Sequence, residues 1–394
     1  MSEPGTRSAA AEPLTMTIDR IRLRLVTARL SHPFENRWQR YHTWTKLQVE
    51  VDGGADGAEA TGRAECSAME TPFYNYETIE TAWYVIEQFL GPMLLKAGRS
   101  DPRDCLRLWQ DVNGHEEAKA AVETALWDLQ ARLRGRPLCE ELGGTVRPVP
   151  AGTTVGIEAT VEELVETVAQ AVRVGYPRVR VKIKPGWDLV PVREVIAAFP
   201  GLRVIADANA AYDETHLEHL TRLEGLGMHA LEQPFPRRLL GSTAELQKRM
   251  ETPICLDEQV HSLREVQEAA ELGACGMVNV KVGRVGGIGE ALRVHDFCAS
   301  AGIPAFVGAK WDQGVGRWAN IAVATLPNMT EASDVGPSDT YYVDDGVEPP
   351  VVFRTPGFVL PGTGPGTAAE PTATLPVERQ TEITLKGAVQ GAGR

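Results

Sequence analysis

Short apolar runs alternate with longer amphipathic patterns from Val149 onward. Each run is followed by apolar residues at helical spacing, which predicts repeated strand–helix units. Seven such runs are TTVGI, RVRVKI, LRVIAD, MHALEQP, TPICLDE, CGMVNVK and IPAFVGA, and EASDV is a candidate eighth. This alternation implies a parallel sheet, and the number of units favours a (β/α)8-type, TIM-like barrel over an open sheet.

The chain before the barrel has a different pattern. TIDRIRLRLVTARL alternates apolar and polar residues, and TKLQVEVDGG and GRAECSA extend it to a predicted meander of three strands. ETIETAWYVIEQFL and EEAKAAVETALWDLQARLRG predict helices, the second ending at Gly135. The predicted divisions are a disordered leader (1–15), an α+β domain (16–140), the barrel (141–339), a segment returning to the first domain (340–362) and a flexible tail (363–394).

Five ionisable residues recur at the ends of successive barrel strands, separated by 25, 25, 25 and 24 residues: Lys182, Asp207, Glu232, Asp257 and Lys281. In a parallel barrel the C-terminal ends of the strands surround one mouth, so three carboxylates would converge between two lysines. Such a cluster is costly unless a divalent cation lies among the carboxylates. Three hard oxygen ligands without His or Cys suit Mg²⁺ or Mn²⁺.

Each of the three acids could also have a purely structural role instead of binding a metal. A single Asp at a strand end is as readily a helix N-cap or a solvated loop residue, and only the joint spacing argues against this for all three. Glu258, beside Asp257, could pair with a lysine instead of binding metal. RVRVKIK places Arg180, Lys182 and Lys184 on one strand face, which alone would also suit a basic edge strand.

The two lysines suggest chemistry at carbon. The second and sixth strands lie opposite one another in an eight-stranded barrel, so Lys182 and Lys281 would address opposite faces of a bound substrate. A nearby cation lowers a lysine's pKa, and a neutral amine can remove a proton whose return its conjugate acid provides. The metal would stabilise the enediolate formed when a carboxylate substrate loses its α-proton.

Net charge, cysteine spacing and the absence of long apolar stretches limit the classes of binding partner and the cellular location that we expect. A net charge of −13 argues against nucleic acid as a general partner. The six cysteines are scattered, which fits free thiols in a reducing cytosol. No signal-peptide core or 18-residue apolar stretch is present, so we predict a cytoplasmic protein that does not enter the membrane.

The chain resembles the enolase superfamily, and within its muconate-lactonising-type subgroup the o-succinylbenzoate synthase / N-acylamino acid racemase branch. The matching stretches run in the family's order over about residues 20–340: AECSAMETPFY, AKAAVETALWDL, VPAGTTVGI, RVKIKPGWD, ADANAAY, EQPF, TPICLDE, NVKVGRVGGIGEALRVHD and GVGRWANIAVA. The resemblance implies an α+β capping domain, a modified barrel, a catalytic Mg²⁺ and base chemistry next to a carboxylate.

The resemblance also assigns roles to individual residues. It implies that Asp207, Glu232 and Asp257 are metal ligands and that Lys281 is the lysine of the sixth strand. In the family's K-x-K motif the second lysine is catalytic. KIKPGWD aligns so that Lys182 is that lysine and Arg180 replaces the first, whereas the other register would select Lys184. Asn209 and Glu258 fall at positions that support the ligands or lysines.

Two segments depart from the family. Where the branch has a GG-M-L-E-T-G-like run, this chain has Lys310, Trp311 and Asp312, which would add a charged pair and a bulky ring beside the expected pocket. The loop HPFENRWQRYHTW is by analogy a specificity lid, and its alternative interpretation is an ordinary polar loop. It carries two arginines and three aromatic residues: Arg37, Arg40, Trp38, Tyr41 and Trp44.

Several functions fit these residues. The first is racemisation or epimerisation of an N-acylated or otherwise N-substituted amino acid, with both lysines as acid and base. The second is syn-dehydration to o-succinylbenzoate in menaquinone biosynthesis, with one lysine as base and the other stabilising the enolate. A third is elimination or epimerisation on a specialised metabolite. A non-catalytic binding barrel should lack a ligand or a lysine, and this chain lacks neither. The expected partner is a small-molecule carboxylate, and a homo-oligomer is possible.

Overall fold

The computed structural model describes residues 12–35 and 40–385, and Arg37 and Trp38 lie outside them. The predicted meander is present as β1 (Met16–Glu35), β2 (Arg40–Ala55) and β3 (Ala58–Cys66), with β4 (Arg99–Ser100) paired to β1. Its alternating pattern buries one face, on which Ile21 pairs with Val51 and Leu23 with Val49. This sheet forms the capping domain.

Helices cover the buried face of the capping sheet. The helices of this domain are α1 (Ile79–Val85), α2 (Gly91–Ala97), α3 (Cys105–Leu108), α4 (Glu116–Leu133) and α5 (Leu138–Glu141). A π-helical turn, Ile86–Leu90, makes α1 and α2 continuous. The long α4 lies directly on β3, because a Cβ at Gly62 would stand 2.0 Å from the Ala125 carbonyl oxygen. Glycine at this position is therefore required for the close approach.

The barrel is a parallel sheet whose strands follow one another in chain order. After β5 (Val149–Pro150), its strands are β6 (Gly152–Val155), β7 (Arg178–Lys182), β8 (Arg203–Asp207), β9 (Ala230–Glu232), β10 (Ile254–Leu256), β11 (Met277–Val280) and β12 (Ala305–Val307). Its helices are α6 (Val161–Val174), α7 (Leu189–Ala198), α8 (Leu217–Thr221), α9 (Leu240–Lys248), α10 (Leu263–Glu271), α11 (Val282–Val285), α12 (Ile288–Ala301) and α13 (Gly314–Val323).

The predicted eighth strand, EASDV, closes the ring by backbone hydrogen bonds. On one side Ser333 N–H donates to Pro150 (2.9 Å) and Gly152 N–H donates to the Ser333 carbonyl (2.7 Å). On the other side Asp334 N–H donates to Val307 (2.8 Å). Together with the seven parallel strands, this gives the modified barrel that was predicted.

A separate apolar cluster fills the barrel interior below its C-terminal mouth, formed by Ile205, Ala230, Cys255, Met277 and Phe306. Side chains alternate along a strand, so a residue two positions after a cluster member points into the same interior. Asp207, Glu232, Asp257 and Asn279 stand at this offset. The apolar plug therefore forms the floor of the site.

The C-terminal segment contains α14 (Ser338–Tyr341), β13 (Val347–Glu348), β14 (Phe358–Val359), β15 (Glu370–Pro371) and β16 (Val377–Thr384). Tyr342 bridges to Leu30 of the capping sheet, whereas β14 pairs with β5 of the barrel. The predicted flexible tail differs from the structure over β16, which pairs antiparallel with β1 and buries Ile383 beside Ile21. The other predicted domain limits stay predictions.

Two further features concern the described residues. All six cysteines are free thiols, and only Cys275 is not fully buried. None of the helices in the described ranges has the length and apolar character needed to cross a membrane.

Candidate active site

The predicted row of ionisable residues stands at the barrel mouth in strand order. Lys182, Asp207 and Glu232 end β7, β8 and β9 and are paired neighbours in the sheet register. Asp257 and Lys281 directly follow β10 and β11. The three carboxylates are at most 1% exposed. Because consecutive parallel strands place them side by side, the acids lie between the lysines, as the spacing predicts.

A basic residue contacts each of the first two carboxylates. Lys182 Nζ lies 2.6 Å from Asp207 Oδ2, and Arg180 Nε lies 3.0 Å from Glu232 Oε2. Glu232 Oε1 accepts a hydrogen bond from Asn279 Nδ2 at 3.0 Å. Arg180 also reaches Asp334 on the closing strand, at 2.8 Å, so this buried guanidinium holds two strand ends together.

The third carboxylate is the centre of a second group. Lys281 Nζ lies 2.8 Å from Asp257 Oδ2, and Arg284 contacts Oδ1 at 2.6 Å. Tyr74, from the capping domain, reaches into this group: its Oη accepts hydrogen bonds from Lys281 (2.8 Å) and Arg284 (2.7 Å). The Tyr74 hydroxyl donates to Asp257 Oδ2 at 3.1 Å. The capping domain thus contacts one of the two lysines directly.

The neighbouring Asp207 carboxylate raises the pKa of both Glu232 and Lys182. Burial, together with the charges of Asp207 and Asp257, raises the pKa of Glu232 to about 8 despite the nearby Arg180. Burial disfavours the ammonium of Lys182, but the Asp207 carboxylate more than compensates, so the pKa of Lys182 is raised. An additional positive charge beside Glu232 would therefore be favourable.

The predicted supporting residues divide into two groups. Asn209 accepts a short hydrogen bond from Lys182 and donates to Glu258 Oε1 at 3.0 Å, so both Asn209 and Glu258 belong to the site. Burial and the Asp257 charge raise the pKa of Glu258 to about 7. Lys184, in contrast, is exposed beyond the end of β7, where its backbone pairs with Trp187. It does not support the site as predicted, because β7 ends at Lys182 and Lys184 lies beyond the end of the strand.

The loop after β12 is folded against the capping domain. Lys310 is 5% exposed and forms an ion pair with Glu117 of α4, rather than a charged pair with Asp312. Asp312 accepts a hydrogen bond from Asn320 at 2.9 Å. A small cavity of about 30 Å³ lies between the two domains, and Lys281, Lys310 and Asp312 contribute to its lining. Lys310 and Asp312 therefore border the site, but each already has a partner within the protein, Glu117 and Asn320 respectively.

Trp311 packs among aromatic residues of the capping hairpin. Its ring lies 4.4 Å from that of Phe34 and 5.6 Å from that of Trp44, with the two indoles nearly parallel. Trp44 is buried against Tyr41, whereas Arg40 is exposed. Trp311 has a φ of 58°, an unfavourable value for this residue, which costs about 1–3 kcal/mol. The ring packing holds this conformation.

The donor set fits a hard divalent cation in its chemistry and in its placement on adjacent strands. Asp207, Glu232 and Asp257 supply carboxylates from adjacent strands, and Glu232 Oε2 is buried and accepts no hydrogen bond in the described structure. As the side chains stand in the described ranges, however, no group of three or more His, Cys, Asp or Glu residues is arranged to hold a metal. Asp207 and Asp257 face lysines instead.

Four site residues were not predicted from the sequence: Tyr74, Asn279, Arg284 and Asp334. Asn279 had a signal, since it precedes Lys281 by two positions on the same strand face. Asp334 lies in the candidate eighth strand. Tyr74 and Arg284 lie in stretches that resemble the family, AECSAMETPFY and NVKVGRVGGIGEALRVHD. No strand periodicity marked either residue, because a loop of the other domain and a helical turn place them.

Comparisons with known proteins match both the capping domain and the barrel of this chain. Residues 22–143 match the mandelate racemase / muconate lactonizing enzyme N-terminal domain, and residues 163–374 match the enolase C-terminal domain-like family. The chain is 37% identical to an o-succinylbenzoate synthase of Geobacillus kaustophilus, over 90% of this chain and 93% of that protein. It is 40% identical to an N-succinylamino acid racemase of Amycolatopsis sp., over 80% and 85%. A crystal structure of an enolase-superfamily member from Listeria innocua superposes with a TM-score of 0.90 at 31% identity, covering 94% of this chain and all of that one.

Proposed function

Because the chain belongs to the mandelate racemase / muconate lactonizing enzyme family of the enolase superfamily, we propose that it removes the α-proton of a carboxylate substrate and racemises an N-acyl amino acid. The observation that carries the proposal is the row of three buried carboxylates with an amine at each end. The relative named N-succinylamino acid racemase makes an N-succinyl amino acid the first substrate to test.

Each residue has a distinct role in this proposal. Lys182 and Lys281 address opposite faces of the α-carbon: one accepts the proton and the other donates a proton to the opposite face. Asn209 orients Lys182, since its side-chain oxygen accepts a hydrogen bond from Nζ. Tyr74 and Arg284 hold the Lys281 end. Lys281 and Arg284 are buried, which limits the access of water to that end of the site.

Asp207, Glu232 and Asp257, which end or directly follow adjacent strands, would hold a divalent cation, Mg²⁺ or Mn²⁺. When bound, the cation supplies Lewis-acid stabilisation of negative charge on the substrate carboxylate. Arg180 and Asn279 would keep Glu232 at the strand end throughout, because both contact it from the barrel interior.

Syn-dehydration to o-succinylbenzoate is the second candidate, supported by the 37% identical relative that carries this activity in its name. It uses the same residues, with one lysine as base and the other beside the enolate. Elimination on a specialised metabolite gains less support, because Lys310 and Asp312 are internally satisfied. We expect a cytoplasmic enzyme that acts on a small carboxylate.

Parallel assays test the proposal on the purified protein with Mg²⁺. Chiral chromatography would follow racemisation of a panel of N-succinyl and N-acetyl amino acids, and ultraviolet absorbance would follow formation of o-succinylbenzoate. Racemisation of at least one panel member supports the proposal. Formation of o-succinylbenzoate with no racemisation across the panel would replace it with the second candidate.

A further inference from the structure

A capping-domain loop, residues 69–78, carries the aromatic residue that contacts Lys281. The Tyr74 hydroxyl lies 2.8 Å from Lys281 Nζ and its ring centroid 5.2 Å from that nitrogen. The loop belongs to the capping domain, whereas the lysine belongs to the barrel. The position of Tyr74 relative to Lys281 therefore depends on what fixes this loop to both domains.

Glu117, in the first turn of α4, is the fixed point of this loop. Its side chain accepts hydrogen bonds from Asn75 Nδ2 (2.6 Å) and Ser67 Oγ (3.2 Å). Its backbone N–H donates a hydrogen bond to the Glu77 side chain at 2.9 Å. Asn75 and Glu77, which follow Tyr74 in the loop, are therefore both hydrogen-bonded to Glu117. The carboxylate is 0% exposed, so it requires a nearby positive charge.

Lys310 supplies that charge from the barrel. Its ammonium contacts Glu117 Oε1 directly, and its carbonyl oxygen accepts a hydrogen bond from Lys46 at 2.8 Å. The buried pair therefore joins the loop after β12 to the loop that holds Tyr74.

We propose that Lys310 and Glu117 are positioning residues for Lys281: through Asn75 and Tyr74 they set the place of the amine that acts on one face of the substrate. This inference rests on the proposed function. Lys182 lies at the other end of the carboxylate row and is held by Asp207 and Asn209 instead. Substitution of Lys310 or Glu117 should therefore slow proton exchange on the substrate face that Lys281 serves more than on the face that Lys182 serves. A general loosening of the domain interface would slow exchange on both faces.

Face-selective exchange of the α-proton in D₂O tests the proposal. Each enantiomer of an N-succinyl amino acid would be incubated with Mg²⁺ and the full-length protein, and the loss of its α-proton signal followed by NMR. Lys281→Ala first identifies the enantiomer whose proton faces Lys281. We expect Lys310→Met and Glu117→Gln to slow exchange of that enantiomer by roughly ten- to a hundredfold, since a misplaced catalytic group costs rates of that order. The other enantiomer should change by less than about threefold on the same reasoning.

Two further variants separate positioning from folding. Lys310→Met/Glu117→Gln removes both charges, so neither is left buried and unpaired, and it should fold and keep the face-selective defect. Tyr74→Phe should make a subsequent Lys310→Met change nearly silent, because both act on the same hydrogen bond.

Arg132→Met is the matched control. It breaks another largely buried ion pair of α4, with Asp128 at 2.6 Å, at the end of the helix away from Glu117. Its effect should be equal on the two enantiomers. Equal slowing of both enantiomers by the Lys310 and Glu117 variants would overturn the proposal. Absence of exchange of either enantiomer by the unmodified protein would instead count against the proposed function.

Discussion

Gly308→Ala tests the interior wall of the site. Gly308 follows β12, and a Cβ placed there would stand 1.9 Å from Asn279 Oδ1. Real Cβ atoms keep at least 3.0 Å from such neighbours, so Asn279 would have to retreat by roughly 1 Å in a close-packed interior. That shift would break its 3.0 Å hydrogen bond to Glu232.

The cost has two parts. Overpacking of a buried position costs about 1–3 kcal/mol. Leaving the buried Asn279 and Glu232 side chains without this hydrogen bond adds about 1–3 kcal/mol. We therefore expect Gly308→Ala to lower the free energy of unfolding by about 2–6 kcal/mol. In an Asn279→Ala background both terms are already gone, so Gly308→Ala should cost less than about 1 kcal/mol there.

Urea unfolding of the four proteins in this double-mutant cycle, followed by circular dichroism, measures both costs. Gly241→Ala is the control, because that exposed helical glycine has open space around its Cβ position. It should be neutral or slightly stabilising. An equal cost of Gly308→Ala with and without the Asn279 side chain would refute the reasoning, since the clash would then not be with Asn279.

Three other predictions concern the cation, Tyr74 and Trp311. Mg²⁺ at a hundred times its dissociation constant should stabilise the fold by about 2.7 kcal/mol in a thermal-shift assay, and Glu232→Gln should abolish this gain; a gain of equal size in the variant would exclude Glu232 as a ligand. Tyr74→Phe should lower kcat about tenfold or more with little change in KM, because it removes a hydrogen bond to Lys281; steady-state kinetics showing only a raised KM would contradict this. Trp311→Leu should lower the free energy of unfolding by about 1–3 kcal/mol, because it removes the ring contacts to Phe34 and Trp44, and unchanged urea unfolding would contradict this.

The sequence predicted the site best where one physical rule acted alone. Parallel strands of similar length bring their C-terminal ends to one mouth, so the regular spacing of Lys182, Asp207 and Glu232 translated directly into adjacency. The prediction that Lys184 supports the site was wrong, because period-2 alternation holds only while the strand continues and β7 ends at Lys182.

Contacts between distant segments could not be predicted in this way. Tyr74 and Asp257 are 183 positions apart and meet because the capping domain docks on the barrel. The partner of Lys310 was likewise hidden, since Glu117 lies in a helix of the other domain. The strand β16 was missed because VERQTEIT is mostly polar, and its pairing is set by the open edge of β1. Local pattern carries no information on such docking.

The most direct test of the central claim is enantiomer-resolved α-proton exchange in D₂O with Mg²⁺, comparing the unmodified protein with Lys182→Ala and Lys281→Ala. If the two lysines act on opposite faces, each variant abolishes racemisation and the exchange of one enantiomer, while the other enantiomer continues to exchange. The two variants should spare opposite enantiomers. Racemisation at near-native rate in either variant would contradict the two-lysine mechanism.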